Sequence, residues 1–172
     1  MTQELIDLKA SILEGRYADA LFIVDELEGM SKQAILRNIK AFLKIILIHL
    51  IKNQVEQRLT GDWASSIRNS IQEIQDLNLK GKKNCYYINN DEWEGFIESV
   101  LMAAIADASE EVLNGIYNEF ELAEIIDRGQ LMQTTMTLLN LTYHHSAKDL
   151  PVILGDYLLK LPGGEDWRNK RK

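Results

Sequence analysis

Between Ser31 and Leu59 the chain is apolar at almost every helical angle. The middle of this stretch reads Ala41-Phe42-Leu43-Lys44-Ile45-Ile46-Leu47-Ile48-His49-Leu50-Ile51, interrupted only by Lys44 and His49. A surface helix carries one apolar stripe, and a helix apolar most of the way round belongs inside a bundle. Ser31 can cap its start, the hydroxyl accepting from an otherwise unpaired backbone amide. Thr60-Gly61-Asp62 breaks it. The expected fold is therefore all-α, a single-domain helical bundle built around a long central helix over about residues 31–59.

The flanking elements obey the same period. Leu5, Leu8, Ile12 and Leu13 give a short first helix ended by Gly15. A second runs from about Tyr17, with Ala18, Leu21, Phe22, Val24 and Leu27 inward, and stops at Gly29. Beyond the long helix, Thr60 or Asp62 caps one whose stripe is Trp63, Ile67, Ile71, Ile74 and Leu77. Leu77 to Asn90 is irregular, with Cys85-Tyr86-Tyr87-Ile88 as a brief extended piece. A helix comes next with Trp93, Phe96, Ile97, Val100, Leu101, Ala104 and Ile105 inward. After it lie a short helix opening at Ser109 and closing at Gly115, then a turn or two around Leu122, Ile125 and Ile126. The last two helices are Gln130 to His144 and one from Ser146 or Asp149, which holds Pro151 in its first turn and ends at Pro162-Gly163-Gly164. The bundle is expected to occupy residues 1–167, with 168–172 as a basic, disordered tail.

Charge sharpens this picture. The net charge is −7, and a free duplex-binding domain is usually basic, so nucleic acid is disfavoured as the main partner. The charge is also segregated. No lysine or arginine occurs from Asn84 to Asp127, while Asp91, Glu92, Glu94, Glu98, Asp107, Glu110, Glu111, Glu119, Glu121, Glu124 and Asp127 all lie there. Arg37, Lys40 and Lys44 share one face of the long helix, and Lys80, Lys82 and Lys83 cluster around Gly81, so these six form a candidate basic patch. The single cysteine, Cys85, cannot close an internal disulfide, which fits a reducing, cytoplasmic setting. The N-terminus lacks a signal-peptide pattern, and the central apolar run is shorter than the roughly 20 residues of a membrane span, so no membrane role is expected.

Ile48-His49-Leu50-Ile51-Lys52, then Arg58, then Asp62-Trp63-Ala64-Ser65-Ser66-Ile67-Arg68 resembles the domain-of-unknown-function family numbered 29, which is common in cyanobacteria. That family shows His-Leu-Leu-Lys at the end of a long helix, then an arginine, then Ser-Trp with Ser-Ile a few residues on. The likeness covers the chain through Leu77. Ser11-Ile12-Leu13-Glu14-Gly15-Arg16-Tyr17 and Pro162-Gly163-Gly164-Glu165-Asp166-Trp167 look like a cyanobacterial subgroup. Where the family often has an aromatic residue after the helix lysine, this chain has Asn53, and the family's second arginine and its usual pattern beyond Leu77 are not matched. The resemblance implies an all-helical bundle and no particular activity.

Candidate functional or structural residues are His49, Lys52, Arg58, Trp63 and Arg68. His49 could act as a general base oriented by Glu56 or Asp62. The competing reading makes it a core histidine bonded to one buried partner, with Asn38 and Asn53 on its own face. Trp63 reads as core rather than as a stacking platform. His144 and His145 point about 100° apart on a helix and so do not easily share a metal. No phosphate loop, nucleophile elbow or dinucleotide fingerprint occurs. No catalytic residue, metal or cofactor is assigned. The leading expectation is a non-enzymatic helical module acting through a protein partner or self-association, because opposite charge patches speed encounter. The alternatives are a nucleic-acid-processing enzyme or an RNA/DNA-binding protein using the basic face of the long helix.

Overall fold

A computed structural model describes residues 2–81 and 84–170. Every regular element among them is helical: α1 (Thr2–Leu13), α2 (Tyr17–Glu56), α3 (Gly61–Asn78), α4 (Trp93–Ser109), α5 (Glu119–Ile125), α6 (Arg128–His144), α7 (Leu150–Leu158) and α8 (Gly164–Arg168). The extended piece near Cys85 amounts to one antiparallel bridge, Leu79 with Tyr86. The chain falls into two compact units, residues 1–37 and 38–172, each taken by itself below.

The long helix is longer than its apolar run. The helices expected at Tyr17 and at Ser31 are one element of 40 residues. Gly29 does not stop it, and Ser31 is an interior residue rather than a cap. A glycine ends a helix when the backbone turns left-handed there, and Gly29 does not. Its interior cost of about 1 kcal/mol is tolerated because its neighbours Leu27, Glu28, Met30 and Lys32 are all good helix formers. The left-handed residue is Gln57, φ 53°, directly after Glu56. Thr60 then opens α3, its hydroxyl accepting from the Trp63 amide at 3.1 Å.

In the second unit, α2 contributes Ile39, Leu43, Ile46, Leu47, Leu50 and Ile51, each no more than 3% exposed. Phe42, Ile45 and Ile48 are only half-buried. The helix therefore still presents a stripe, at i, i+4, i+7, i+8, i+11 and i+12. Trp63, Ile67, Ile71 and Ile74 of α3 meet the expectation, as do Trp93, Ile97, Leu101, Ala104 and Ile105 of α4. Helix α3 packs against α6 and α7, α4 against α5 and α6, and α6 against α7. Ser109 ends α4 instead of starting a new helix, and Val112–Gly115 is a 3-10 turn in which Leu113 and Asn114 are left-handed, φ 46° and 59°.

One buried polar cluster fixes Ile88 ahead of α4. The Asn78 side-chain amide donates to the Ile88 carbonyl at 2.9 Å and accepts from the Ile88 amide at 2.7 Å. The Tyr143 hydroxyl donates to the same carbonyl at 2.6 Å and accepts from the Trp93 indole at 2.7 Å and the Asn78 amide at 3.1 Å. Burial pushes the Tyr143 phenol up to about 12, against those two donors, so it stays a neutral donor.

Ile46→Ala or Leu50→Ala should each lower stability by about 2–5 kcal/mol, the usual cost of emptying a core site. Chemical denaturation checks this, and unmoved midpoints in both variants would show that this stretch is not the centre of the core.

Candidate functional site

The polar side chains of the last turns of α2 reach several connections as well as α3. They act as keys to several loops at once. Lys52, 9% exposed, donates to the Glu111 carboxylate at 2.8 Å. Asn53, 2% exposed, donates from one amide nitrogen to the carbonyls of Arg58, at 2.9 Å, and Pro162, at 2.8 Å. Gln54 and Asp127 pair reciprocally, side-chain amide to backbone, at 3.1 and 2.8 Å. Glu56 accepts from Arg58 at 3.0 Å and from the Leu113 amide at 3.3 Å. Thus one helix end holds the 111–113 turn, the α2–α3 connection, the start of α6 and the 162–164 turn.

Trp63, on the first turn of α3, completes this hub. The Lys52 ammonium lies 4.8 Å and the Arg58 guanidinium 4.7 Å from its ring centre. Each cation is also paired with a carboxylate, so the ring adds a favourable face without leaving an open charge. The ring is 8% exposed, in keeping with a core role. Close by, the 162–164 turn comes so near the backbone of residue 58 that a side chain cannot intervene. A Cβ on Gly163, φ 74°, would stand 2.6 Å from Arg58 Cα.

His49 adjoins the hub through its charges. Desolvation holds its imidazole below the ordinary value, the nearby Lys52 pushes the same way, and Glu111 opposes both. Its Nδ1 is buried with no hydrogen-bond partner. Neither Asn38 nor Asn53, the partners its face offered in the sequence, bonds to that nitrogen, and Asn53 is engaged with Arg58 and Pro162. Glu56, one of the two expected orienters with Asp62, serves Arg58 and Leu113. The arrangement assembles no base–orienter pair around this ring.

The other candidates lie apart from the hub or within local contacts. Arg68, half-buried on α3, lies against Gly155 of α7, with its Nε buried and unpaired. Lys44 pairs with Asp107 at 2.9 Å, and the Lys40 ammonium sits 5.5 Å from the Phe96 ring centre. Part of the basic face of α2 is thus met by α4 within the same chain. Lys80 sits over Tyr87, and Arg37 is exposed. Lys82 and Lys83 lie outside the described residues, as do Arg171 and Lys172 of the tail. Among the described residues no three His, Cys, Asp or Glu side chains gather as a metal site would need. A groove of about 500 Å³ adjoins the hub, lined by Gln54, Gln57, Gln130, Thr134, Tyr157 and Lys160 among others.

Sequence reasoning named Lys52, Arg58 and Trp63 but not Asn53, Gln54, Glu56 and Glu111 as their companions. One signal was present. Asn53 stands where the resembling family often has an aromatic residue, and an aromatic ring cannot donate to two carbonyls.

Residues 8–112 match the family model described as Domain of unknown function DUF29. The match takes in His49, Lys52, Asn53, Arg58, Trp63, Arg68 and Glu111, and it passes Leu77 to include α4; Pro162 and Gly163 lie beyond it. No curated protein and no solved structure matches the chain.

Asn53→Ala should cost about 1–3 kcal/mol, because it empties a buried site and leaves two part-buried carbonyls without their donor. Asn53→Asp should be no better near neutral pH, since a carboxylate has no donor to offer. Unchanged denaturant midpoints would refute the keying role. For His49, the folded value lies below the unfolded one, near 6.5. The unfolded chain therefore binds more protons as pH falls, and stability should decline from about pH 6.5 down to the folded value. His49→Gln should remove that part of the slope. An imidazole that titrates at or above 6.5 by NMR would contradict it.

Proposed function

The chain belongs to the DUF29 family, a domain of unknown function, and on that footing we propose that it is a protein-interaction module whose contact surface is its N-terminal helical hairpin. One observation carries this reading. In the unit of residues 1–37, only Ser11 and Ala20 are buried among the described residues. Leu5, Ile6, Ile12, Leu13, Tyr17, Leu21, Phe22 and Met30 are each more than half exposed. Two helices that bury no large side chain have no core of their own, and exposed apolar surface on this scale marks a contact site.

The charges support a protein contact over a nucleic-acid one. Lys44 is matched by Asp107 and Lys52 by Glu111, so these cations of α2 already have anions within the chain. A phosphate backbone is gripped by cations that exchange only mobile counterions. Among the described residues no helix is long and apolar enough to cross a membrane.

A photo-crosslinking residue placed at Leu13 or Phe22 should give protein adducts in the native cell, and one at the exposed, polar Gln33 should give few. Full-length protein that accumulates without adducts from Leu13 and Phe22 would refute the reading.

A further inference from the structure

We infer that the hairpin's apolar face is covered by a second copy of the same chain, paired across a two-fold axis with α1 of each copy lying on the first turns of the other copy's α2. This inference rests on the interaction reading above and names its partner.

Helix α1 turns the wrong side inward for a self-sufficient hairpin. Ser11, 2% exposed, is its buried residue among those described. Asp7, Ala10 and Ser11 line a recess of about 370 Å³ with Asp19, Phe22 and Ile23 of α2. The apolar row Leu5, Leu8 and Ile12 is left on another side, where it forms a shallow dent of about 220 Å³ with Lys9 and Leu13. On α2, Tyr17, Leu21, Val24 and Glu28 succeed one another at four, three and four residues, so they share a face. Tyr17 is 65% and Leu21 64% exposed.

The charges within the two rows select the partner. The α1 row has a cation in its middle, Lys9, and the α2 row ends in an anion, Glu28, with Asp25 beside it. Packing α1 on a second α1 would set one Lys9 against the other. Packing α1 antiparallel on the second copy's α2, with Ile12 opposite Leu21, brings Lys9 within one turn of the second copy's Asp25 and Glu28. The two-fold axis repeats the contact. Glu14 and Asp19 add little repulsion, because Arg16 holds them at 2.8 and 3.0 Å. The two rows also supply apolar area toward the roughly 800 Å² per partner that a stable pair buries: Leu5, Ile12 and Leu13 of α1 and Tyr17 and Leu21 of α2 are each more than half exposed.

Sedimentation equilibrium on the full chain tests this. The expected mass is twice the 19.7 kDa of one chain. Leu21→Glu and Lys9→Glu should each shift the mass toward one chain with helicity unchanged. Lys9→Glu combined with Glu28→Lys should restore the pair, which keeps the test decisive even where Leu21→Glu fails to fold. A dimer indifferent to Lys9→Glu and Leu21→Glu would overturn the inference, since another face would then be the interface. A monomeric wild type whose Leu13 crosslinker captures a different protein would overturn the second copy while sustaining the interaction module. A monomeric wild type with no adduct would overturn both.

Discussion

Asn53 sets the constraint on which the second unit depends. A buried side-chain amide must find acceptors, and Asn53 finds them in two carbonyls far apart in the chain, Arg58 and Pro162. The end of any helix leaves backbone groups unpaired, and short connections leave more. Here Lys52, Asn53, Gln54 and Glu56 project from one helix end and satisfy groups in four connections. The left-handed Gln57 directs the chain back past this end, and Gly163 permits the close approach of the 162–164 turn. The apolar stripe of α2 supplies the burial, and these polar keys decide which loop lies where.

The same principle disposes of much of the charge. The sequence separates a basic α2 face from an acidic second half, which could have meant an exposed dipole. Folding instead brings Lys44 to Asp107, Lys52 to Glu111 and Lys40 to the Phe96 ring. Such pairs contribute modestly where exposed, but the half-hidden Lys52 pair also stacks on Trp63. What the fold leaves uncovered is apolar: the rows of α1 and of the first turns of α2. In residues 1–37 the polar Ser11 is the buried residue of α1, while Leu5, Ile12 and Leu13 are more than half exposed, the reverse of a free-standing hairpin.

The helical class and most helices were legible in the sequence because burial has a period. Trp63, Ile67, Ile71 and Ile74 could face the core together only from a helix, and Thr60 was one of two residues suited to cap it. Lys52, Arg58 and Trp63 were recognisable as a constellation through the resemblance. The merger of two expected helices into α2 was not legible. Gly29 punctuates only if the backbone turns there, and a glycine tolerates both conformations. The continuation of α4 through Ser109 has the same cause: a serine can cap a helix or ride inside one, and the sequence does not choose.

By itself, then, the sequence determined what is periodic: an all-α chain, the core stripes of α3 and α4 and the segregation of its charges. Only the tertiary structure decided which partners the polar residues take. Asn53 was expected beside His49 and instead serves Pro162, more than a hundred residues away. His49 was left with an unpaired Nδ1, and Glu56 went to Arg58 and Leu113 rather than to the imidazole. Helical periodicity fixes the direction in which a side chain leaves its helix. A hydrogen bond also needs the other group to arrive there within about 3 Å, and that is settled by how the connections pack.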